Sequence, residues 1–244
     1  MESKTFSLQG KTVVLLGASS GIGLATAQAA AAERANIIIV SANQQRVDNA
    51  LKELPQGAKA YAVDVTNEEQ IKGLFTKIGK FDHLVYTAGE NIQIGNISDT
   101  EIEAGKKYFN VRYWGAFTAV KYAVPYINIG GSIVLTSGAA SQRPGKGWSL
   151  GASMCAAMEG FTRAMAVELA PIRINVVVPG IVKTNLWNSL PDTDREALYA
   201  TYADMLLVKH IGEAAEVAQT YIYLMKQTYS TGQTVVVDGG GVLV

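Results

Sequence analysis

The chain has 244 residues, of which 48% are apolar and 17% charged, and this composition excludes an intrinsically disordered chain. Lysine plus arginine and aspartate plus glutamate each number 21, so no net charge is present to attract nucleic acid or an anionic membrane surface. The single cysteine, Cys155, excludes an internal disulfide and a clustered thiolate metal site.

The N-terminal ten residues lack the apolar stretch of a signal peptide. No apolar run approaches the roughly 20 residues that a membrane-spanning helix needs. No group of carboxylates and histidines has metal-ligand spacing. We therefore predict a cytoplasmic protein that binds neither metal, membrane nor nucleic acid.

Short apolar runs rich in valine and isoleucine alternate with helical segments along the whole chain. Continuous apolar runs of four to six residues are typical of strands that are buried on both faces. The predicted strands, in chain order, are 12–16, 36–40, 59–63, 83–86, 132–136, 173–178 and 234–237. The predicted helices between them are 22–34, 68–78, 99–127, 149–170 and 213–225.

This alternation predicts one α/β domain with a doubly wound parallel sheet of about seven strands. Within the long helix 99–127, a glycine at position 105 or 115 is a candidate point of interruption. Segment 185–210 breaks the alternation, carries Trp187 and Pro191, and is a candidate lid over a site.

Three glycines follow the first predicted strand, where the chain turns into a helix. Gly17 permits a tight turn, Gly21 lets the backbone approach a pyrophosphate, and Gly23 lets the helix pack closely on the sheet. Backbone N–H groups at the start of the helix would then face the phosphates. The turn predicts a dinucleotide-binding site.

The end of the second strand bears on the choice between NAD and NADP. An NAD-preferring site usually places an acidic residue there to hold the ribose 2′-hydroxyl, whereas this chain has Ser41, Ala42 and Asn43. No arginine is adjacent, unless Arg46 reaches back. Either cofactor fits this pattern, and the absence of an acidic residue favours NADP slightly.

Several motifs together resemble the short-chain dehydrogenase/reductase family, over nearly the whole chain. They are the glycine turn, Asp64-Val65, Ala88-Gly89, Asn110, Pro179-Gly180 with Thr184, and the segments 231–233 and 238–240. The resemblance implies a Rossmann-type fold, a small carbonyl or alcohol substrate, and a homo-oligomer, either dimer or tetramer. It implies cofactor contacts from Gly17, Ser19, Ser20, Gly21, Ile22, Gly23, Ser41, Ala42, Asn43, Asp64, Val65, Ala88, Gly89, Pro179, Gly180 and Thr184.

The family's proton-transfer groups are a tyrosine and a lysine spaced i, i+4 on one helix, assisted by a serine and an asparagine. Aligned with the family, Gly151 stands at the tyrosine position, Cys155 at the lysine position and Gly138 at the serine position. None of the eleven tyrosines has a lysine four residues later. The resemblance assigns the asparagine role to Asn110 and leaves Ser137, beside Gly138, as a replacement hydroxyl.

Three hypotheses follow. The first is an oxidoreductase in which water, Ser137 or a tyrosine such as Tyr113 or Tyr86 supplies the proton. The second is a nucleotide-binding sensor or regulatory subunit without turnover. The third is a non-redox enzyme on the same fold, such as a lyase or isomerase. A nucleophilic role for Cys155 would require an adjacent base.

Overall fold

The computed structural model describes residues 6–188 and 190–244. Seven parallel strands form one sheet in the order β3-β2-β1-β4-β5-β6-β9, so the strand order reverses between β1 and β4. The sheet comprises β1 (Thr12–Leu16), β2 (Asn36–Ser41), β3 (Lys59–Ala62), β4 (Phe81–Tyr86), β5 (Ile127–Thr136), β6 (Arg173–Pro179) and β9 (Thr234–Val237). Two further short strands, β7 (Val182–Lys183) and β8 (Gly212–Glu213), pair with each other.

Helices cover both faces of the sheet. They are α1 (Gly21–Ala32), α2 (Gln44–Lys52), α3 (Glu68–Ile78), α4 (Ile102–Phe109), α5 (Ala116–Ala123), α6 (Ser149–Glu168), α7 (Asp192–Met205) and α8 (Ala214–Lys226). Within the described residues, none of these helices is both long and apolar enough to cross a bilayer.

Alternate side chains of the buried strands feed two separate apolar cores. On β1, Val14 and Leu16 pack with α3, α5 and α6, whereas Val13 and Leu15 pack with α1 and α8. This alternation follows from the two-residue period of a strand. The prediction of a doubly wound parallel sheet in one domain is confirmed.

The predicted long helix 99–127 is divided in the structure. Helix α4 ends at Phe109, a π-helical turn spans Asn110–Gly115, and α5 follows. The Tyr86 hydroxyl donates to the Val111 carbonyl inside this turn, and Gly115 leaves the space that this hydroxyl occupies. The chain then enters β5 at Ile127, five residues earlier than predicted.

Helix α2 was absent from the sequence prediction. Only Val47 and Ala50 on it are buried, so its apolar pattern is short. Its start is fixed by Asn43, whose side chain accepts a hydrogen bond from the Arg46 backbone N–H at 2.9 Å. Asn43 is thus a helix cap, and it does not line the cavity described below.

A buried histidine makes stability depend on pH. His83 on β4 lies opposite Ser132 on β5, with Nδ1 and Oγ 2.9 Å apart. Burial lowers the pKa of His83 from 6.5 to about 4, although the charge of Asp82 opposes this. The folded chain therefore keeps His83 neutral, whereas the unfolded chain protonates it below pH 6.5. The contribution of His83 to the free energy of unfolding is therefore full above pH 6.5 and is lost as the pH falls towards 4.

We expect the free energy of unfolding to fall by about 2 kcal/mol between pH 7 and pH 5 from this residue alone. Denaturant unfolding at the two pH values measures it. His83→Asn keeps a polar partner for Ser132, but asparagine does not titrate. Between pH 7 and pH 5 the free energy of unfolding of this variant should therefore fall by about 2 kcal/mol less than that of the wild type. An equal loss in both proteins would show that His83 is not responsible.

Candidate functional site

A cavity of about 840 Å³ opens at the carboxyl ends of the parallel strands. Residues that directly follow β1, β2, β4, β5 and β6 line it, and β1 and β4 are the strands between which the sheet order reverses. Ligands bind at such reversal points in open α/β sheets. Apart from Asn43, every residue expected to contact a cofactor lines this one cavity.

The glycine turn forms one wall of the cavity. Gly17 and Gly21 have φ angles of +89° and +55°, which favour glycine, and a side chain at Gly17 would collide with the Ala88 backbone. A Cβ on Gly21 would project towards Thr184, 3.2 Å from its Cγ2 atom, across the mouth of the turn. Side chains at these two positions would therefore crowd Ala88 and Thr184, which also line the cavity.

The start of α1 faces the same space. Ser20 is its N-cap residue and makes no side-chain cap bond, so the first N–H groups of the helix are free of side-chain partners. Such free N–H groups at a helix N-terminus bind phosphate. The observed geometry fits the pyrophosphate of a dinucleotide.

Polar and cationic groups gather where β2 ends. Ser19 Oγ donates to Ser41 Oγ at 3.0 Å, and the exposed Arg46 on α2 lines the cavity nearby. The acidic Asp64, which follows β3, accepts hydrogen bonds from the backbone and side chain of Thr66. The end of β2 therefore offers hydroxyl and guanidinium donors to a ligand.

Gly138, Gly151 and Cys155 also line the cavity. Cys155 is 5% exposed and packs in the core, and a Cβ on Gly138 would lie 3.1 Å from its sulfur. Burial raises the pKa of the Cys155 thiol, an effect that the charge of Arg112 and a bond with Ser137 oppose. A neutral, packed thiol is a poor nucleophile.

The histidines are not arranged to activate Cys155. His83 bonds with Ser132, and His210 lies with Nδ1 3.1 Å from the Val208 carbonyl oxygen and Nε2 3.1 Å from Glu216. Neither histidine lines the cavity. Within residues 6–188 and 190–244, no three histidine, cysteine or acidic side chains are placed to hold a metal ion.

Ser137, expected as a replacement hydroxyl, is engaged in the fold. It is buried, and its Oγ donates to the Cys155 carbonyl at 2.9 Å and approaches Glu159 at 3.4 Å. The hydroxyl therefore fixes the end of β5 to α6. This geometry does not favour Ser137 as a proton donor.

Two tyrosines considered as proton donors also have structural positions. The Tyr86 hydroxyl is buried against the Val111 carbonyl, and burial raises its pKa well above the ordinary value. Tyr113 lies in an aromatic cluster with Phe109, Trp114 and Phe161 and is not a cavity residue. Neither is placed to donate into the cavity.

Asn110, to which the family resemblance assigns the asparagine role, is the first residue of the π-helical turn. Its side chain is exposed and does not line the cavity, whereas Arg112, two residues later, does. The π-helical turn begins at Asn110 and changes which residues face inward. Arg112 therefore occupies this part of the cavity wall, and the role that the resemblance assigns to Asn110 stays a prediction.

Tyr108 is a cavity residue that sequence reasoning missed. It lies on α4, is 3% exposed, and places its hydroxyl 3.8 Å from the position of a Cβ on Gly151. The signal was available, because Tyr108 and Arg112 are spaced i, i+4. The family motif has lysine at the second position of this spacing, so Tyr108 with Arg112 does not match it.

The remaining wall of the cavity carries several apolar and aromatic side chains. Segment 185–210, excluding residue 189, contributes a single helical turn at Asn185–Trp187 and helix α7. The Trp187 indole N–H donates to the Val182 carbonyl at 3.0 Å and fixes this segment to β7. The apolar or aromatic lining residues here are Ile92, Trp148, Leu186, Trp187, Met205 and Leu206.

Comparisons with known proteins agree with this architecture. The family model described as enoyl-(acyl carrier protein) reductase matches residues 17–241. The short-chain dehydrogenase/reductase ucsE of Acremonium sp is 32% identical, with 97% of each chain covered.

Two solved structures superpose over nearly the whole chain. A small-chain dehydrogenase in complex with NADPH has a TM-score of 0.87 and 33% identity, covering 97% of this chain and 100% of that one. The MalC reductase/Diels-Alderase from Malbranchea aurantiaca has a TM-score of 0.90 and 28% identity, with 97% of both chains covered.

Proposed function

The chain belongs to the short-chain dehydrogenase/reductase family of oxidoreductases, and from this premise we propose that it is an NADPH-dependent reductase of a small carbonyl compound. The observation that carries the proposal is the open glycine turn at the head of the cavity. A side chain on Gly17 would collide with the Ala88 backbone and one on Gly23 with the Gly17 carbonyl, so only glycine permits this close turn, which Gly21 continues at the cavity wall.

Each part of the cofactor has matching residues. The pyrophosphate would lie against the 17–23 turn, and the adenine near Asp64 and Val65. The nicotinamide end would lie near Pro179, Gly180 and Thr184. When bound, the nicotinamide would supply the hydride for the reduction.

The preference for NADP rests on the end of β2. Ser19, Ser41 and Arg46 offer two hydroxyls and a guanidinium, which suit a 2′-phosphate. No acidic residue at the end of this strand would repel that phosphate. The related small-chain dehydrogenase that was solved with NADPH supports this choice.

The substrate half of the cavity is suited to an apolar molecule with one reactive carbonyl. Trp148, Trp187 and Leu206 provide apolar surface, and Arg143 lies on the wall. Segment 185–210, excluding residue 189, would cover the substrate as a lid. A pocket with mostly apolar walls and few polar groups is typical of small-molecule sites.

A nucleotide-binding protein without turnover is the second candidate function. The observation that favours it is the absence of a side chain at Gly151 and of a cation at Cys155. Both candidates require the same cofactor site. They differ only in whether the bound nicotinamide is consumed.

We test the proposal by following NADPH consumption at 340 nm with a panel of aromatic and aliphatic ketones and aldehydes. A reductase should consume NADPH in proportion to the carbonyl added, and the corresponding alcohol should appear. Binding of NADPH without consumption across the panel would select the second candidate. Failure to bind NADPH would contradict both.

Two further predictions, one from the family resemblance and one from the absence of a signal-peptide pattern, stay predictions. One is assembly into a homodimer or homotetramer, which gel filtration with light scattering measures. The other is a cytoplasmic location.

A further inference from the structure

We propose that Tyr108 is the proton donor of this active site and that Arg112 is the cation that supports it. The inference rests on the proposed function, because it concerns the proton that accompanies hydride transfer. Helix α6 has Gly151 and Cys155 in the cavity wall, so it offers neither a tyrosine hydroxyl nor a cation there. The proposal assigns these two groups to α4 and to the π-helical turn that follows it.

The spacing of the pair is specific in this sequence. Tyr108 is the only one of the eleven tyrosines with a basic residue four positions later. Residues spaced i, i+4 lie on one face of a helix. The structure places both Tyr108 and Arg112 in the wall of the same cavity.

Tyr108 occupies the space beside Gly151. A Cβ on Gly151 would lie 3.8 Å from the Tyr108 hydroxyl oxygen and 3.4 Å from the Trp148 ring. The Tyr108 hydroxyl on α4 therefore lies within van der Waals distance of the point where a side chain at position 151 on α6 would begin. A tyrosine hydroxyl is therefore present at this wall, but Tyr108 supplies it and not the residue at position 151.

Most of the Arg112 N–H groups have no hydrogen-bond partner among the described residues. Its Nη2 donates to the Glu90 carbonyl at 3.0 Å, its only hydrogen bond to the described residues, and its Nε is buried without a partner. Gly89 permits this position, because a Cβ there would lie 2.5 Å from the guanidinium carbon. An arginine that faces a cavity with unused N–H groups can bind a developing negative charge.

The backbone around Arg112 is fixed by two contacts. The Tyr86 hydroxyl donates to the Val111 carbonyl, and the Val111 N–H donates to Glu90 Oε1 at 3.1 Å. These contacts hold the π-helical turn that directs Arg112 inward. π-Helical turns occur frequently at functional sites.

The electrostatics agree with this geometry. Burial raises the pKa of the Tyr108 hydroxyl, and the charge of Arg112 opposes the rise. Tyr108 is therefore protonated at neutral pH, which is the form that a donor needs. Cys155 and Glu90 are the acidic groups near Tyr108, and Arg112 is the basic one.

In the proposed step, hydride transfer to the carbonyl carbon is accompanied by proton transfer to the carbonyl oxygen. The substrate carbonyl carbon gains two electrons and one hydrogen as hydride from the reduced nicotinamide. The carbonyl oxygen takes the Tyr108 proton, so the product is an alcohol and the cofactor is left oxidised. The phenolate on Tyr108 is stabilised by Arg112 until it regains a proton from water that enters through the cavity mouth.

The test compares Tyr108→Phe with the matched control Tyr113→Phe, which removes a hydroxyl from the same segment but outside the cavity. We expect Tyr108→Phe to lower kcat by about 100-fold or more, the range typical of a general acid, with NADPH affinity within about threefold of wild type. Tyr113→Phe should leave both unchanged. Full turnover in Tyr108→Phe would overturn the inference while leaving the proposed function intact.

A second readout does not depend on turnover. Ultraviolet titration of the tyrosines, taken as the difference between the wild type and Tyr108→Phe, gives the pKa of Tyr108. The same difference measured in an Arg112→Gln background should show a higher pKa, because the opposing positive charge is gone. An unchanged pKa would overturn the assignment of Arg112, whatever the turnover.

Discussion

Replacing Gly21 with alanine should lower the affinity for NADPH by about 100-fold, while the chain remains folded. The added Cβ projects across the glycine turn and lies 3.2 Å from the Thr184 side chain. The pyrophosphate would then lose its closest backbone N–H groups, and each charge-assisted hydrogen bond is worth about 1.5–3 kcal/mol. Fluorescence titration with NADPH measures the loss.

The backbone cost of this substitution can be separated from its effect on binding. Gly21 has a φ of +55°, so alanine should also destabilise the fold by about 1–2 kcal/mol. Gly10 has a φ of +72° with no atom within 4 Å of its Cβ position, and it does not line the cavity. Gly10→Ala should therefore show a similar loss of stability but bind NADPH normally. Equal affinity in the two variants would exclude the turn as the phosphate site.

Replacing Ser41 with aspartate should reverse the cofactor preference. A carboxylate at the end of β2 would repel a 2′-phosphate and accept a hydrogen bond from a ribose 2′-hydroxyl. We expect NADPH affinity to fall by about 100-fold and NADH affinity to rise by about tenfold, a combined change of about 4 kcal/mol. Parallel titrations with the two cofactors measure both.

The control for Ser41→Asp adds the same charge elsewhere. Thr193→Asp introduces a carboxylate in the first turn of α7, where the residue is exposed and outside the cavity wall. Its cofactor preference should match that of the wild type. If Ser41→Asp also leaves the preference unchanged, the 2′-phosphate does not lie near Ser19, Ser41 and Arg46.

The sheet and the glycine turn could be predicted because their signals are local. Strands 12–16 and 234–237 are continuous apolar runs, and the structure has them with the same bounds. The turn at Gly17, Gly21 and Gly23 requires backbone conformations and close approaches that favour glycine, so the presence of glycine in the sequence predicts it. Helix α2 was missed because few of its residues contact the core.

The cavity wall around Arg112 could not be predicted from residue types. Matching an asparagine to the family motif selected Asn110, but the direction of that side chain depends on the π-helical turn. The π-helical turn is held by the hydrogen bond between Tyr86 and Val111, which are 25 residues apart in the chain. The spacing of Tyr108 and Arg112 is present in the sequence, but the position of Tyr108 beside Gly151 depends on how α4 packs against α6.

The measurement that tests the cofactor site most directly is a titration of the unaltered protein with NADPH and with NADH, following nicotinamide fluorescence. We expect saturable enhancement with NADPH at about micromolar concentrations and binding of NADH that is at least about tenfold weaker. If the nicotinamide fluorescence does not differ from that of the free nucleotide at any point in either titration, a dinucleotide site in this cavity is contradicted.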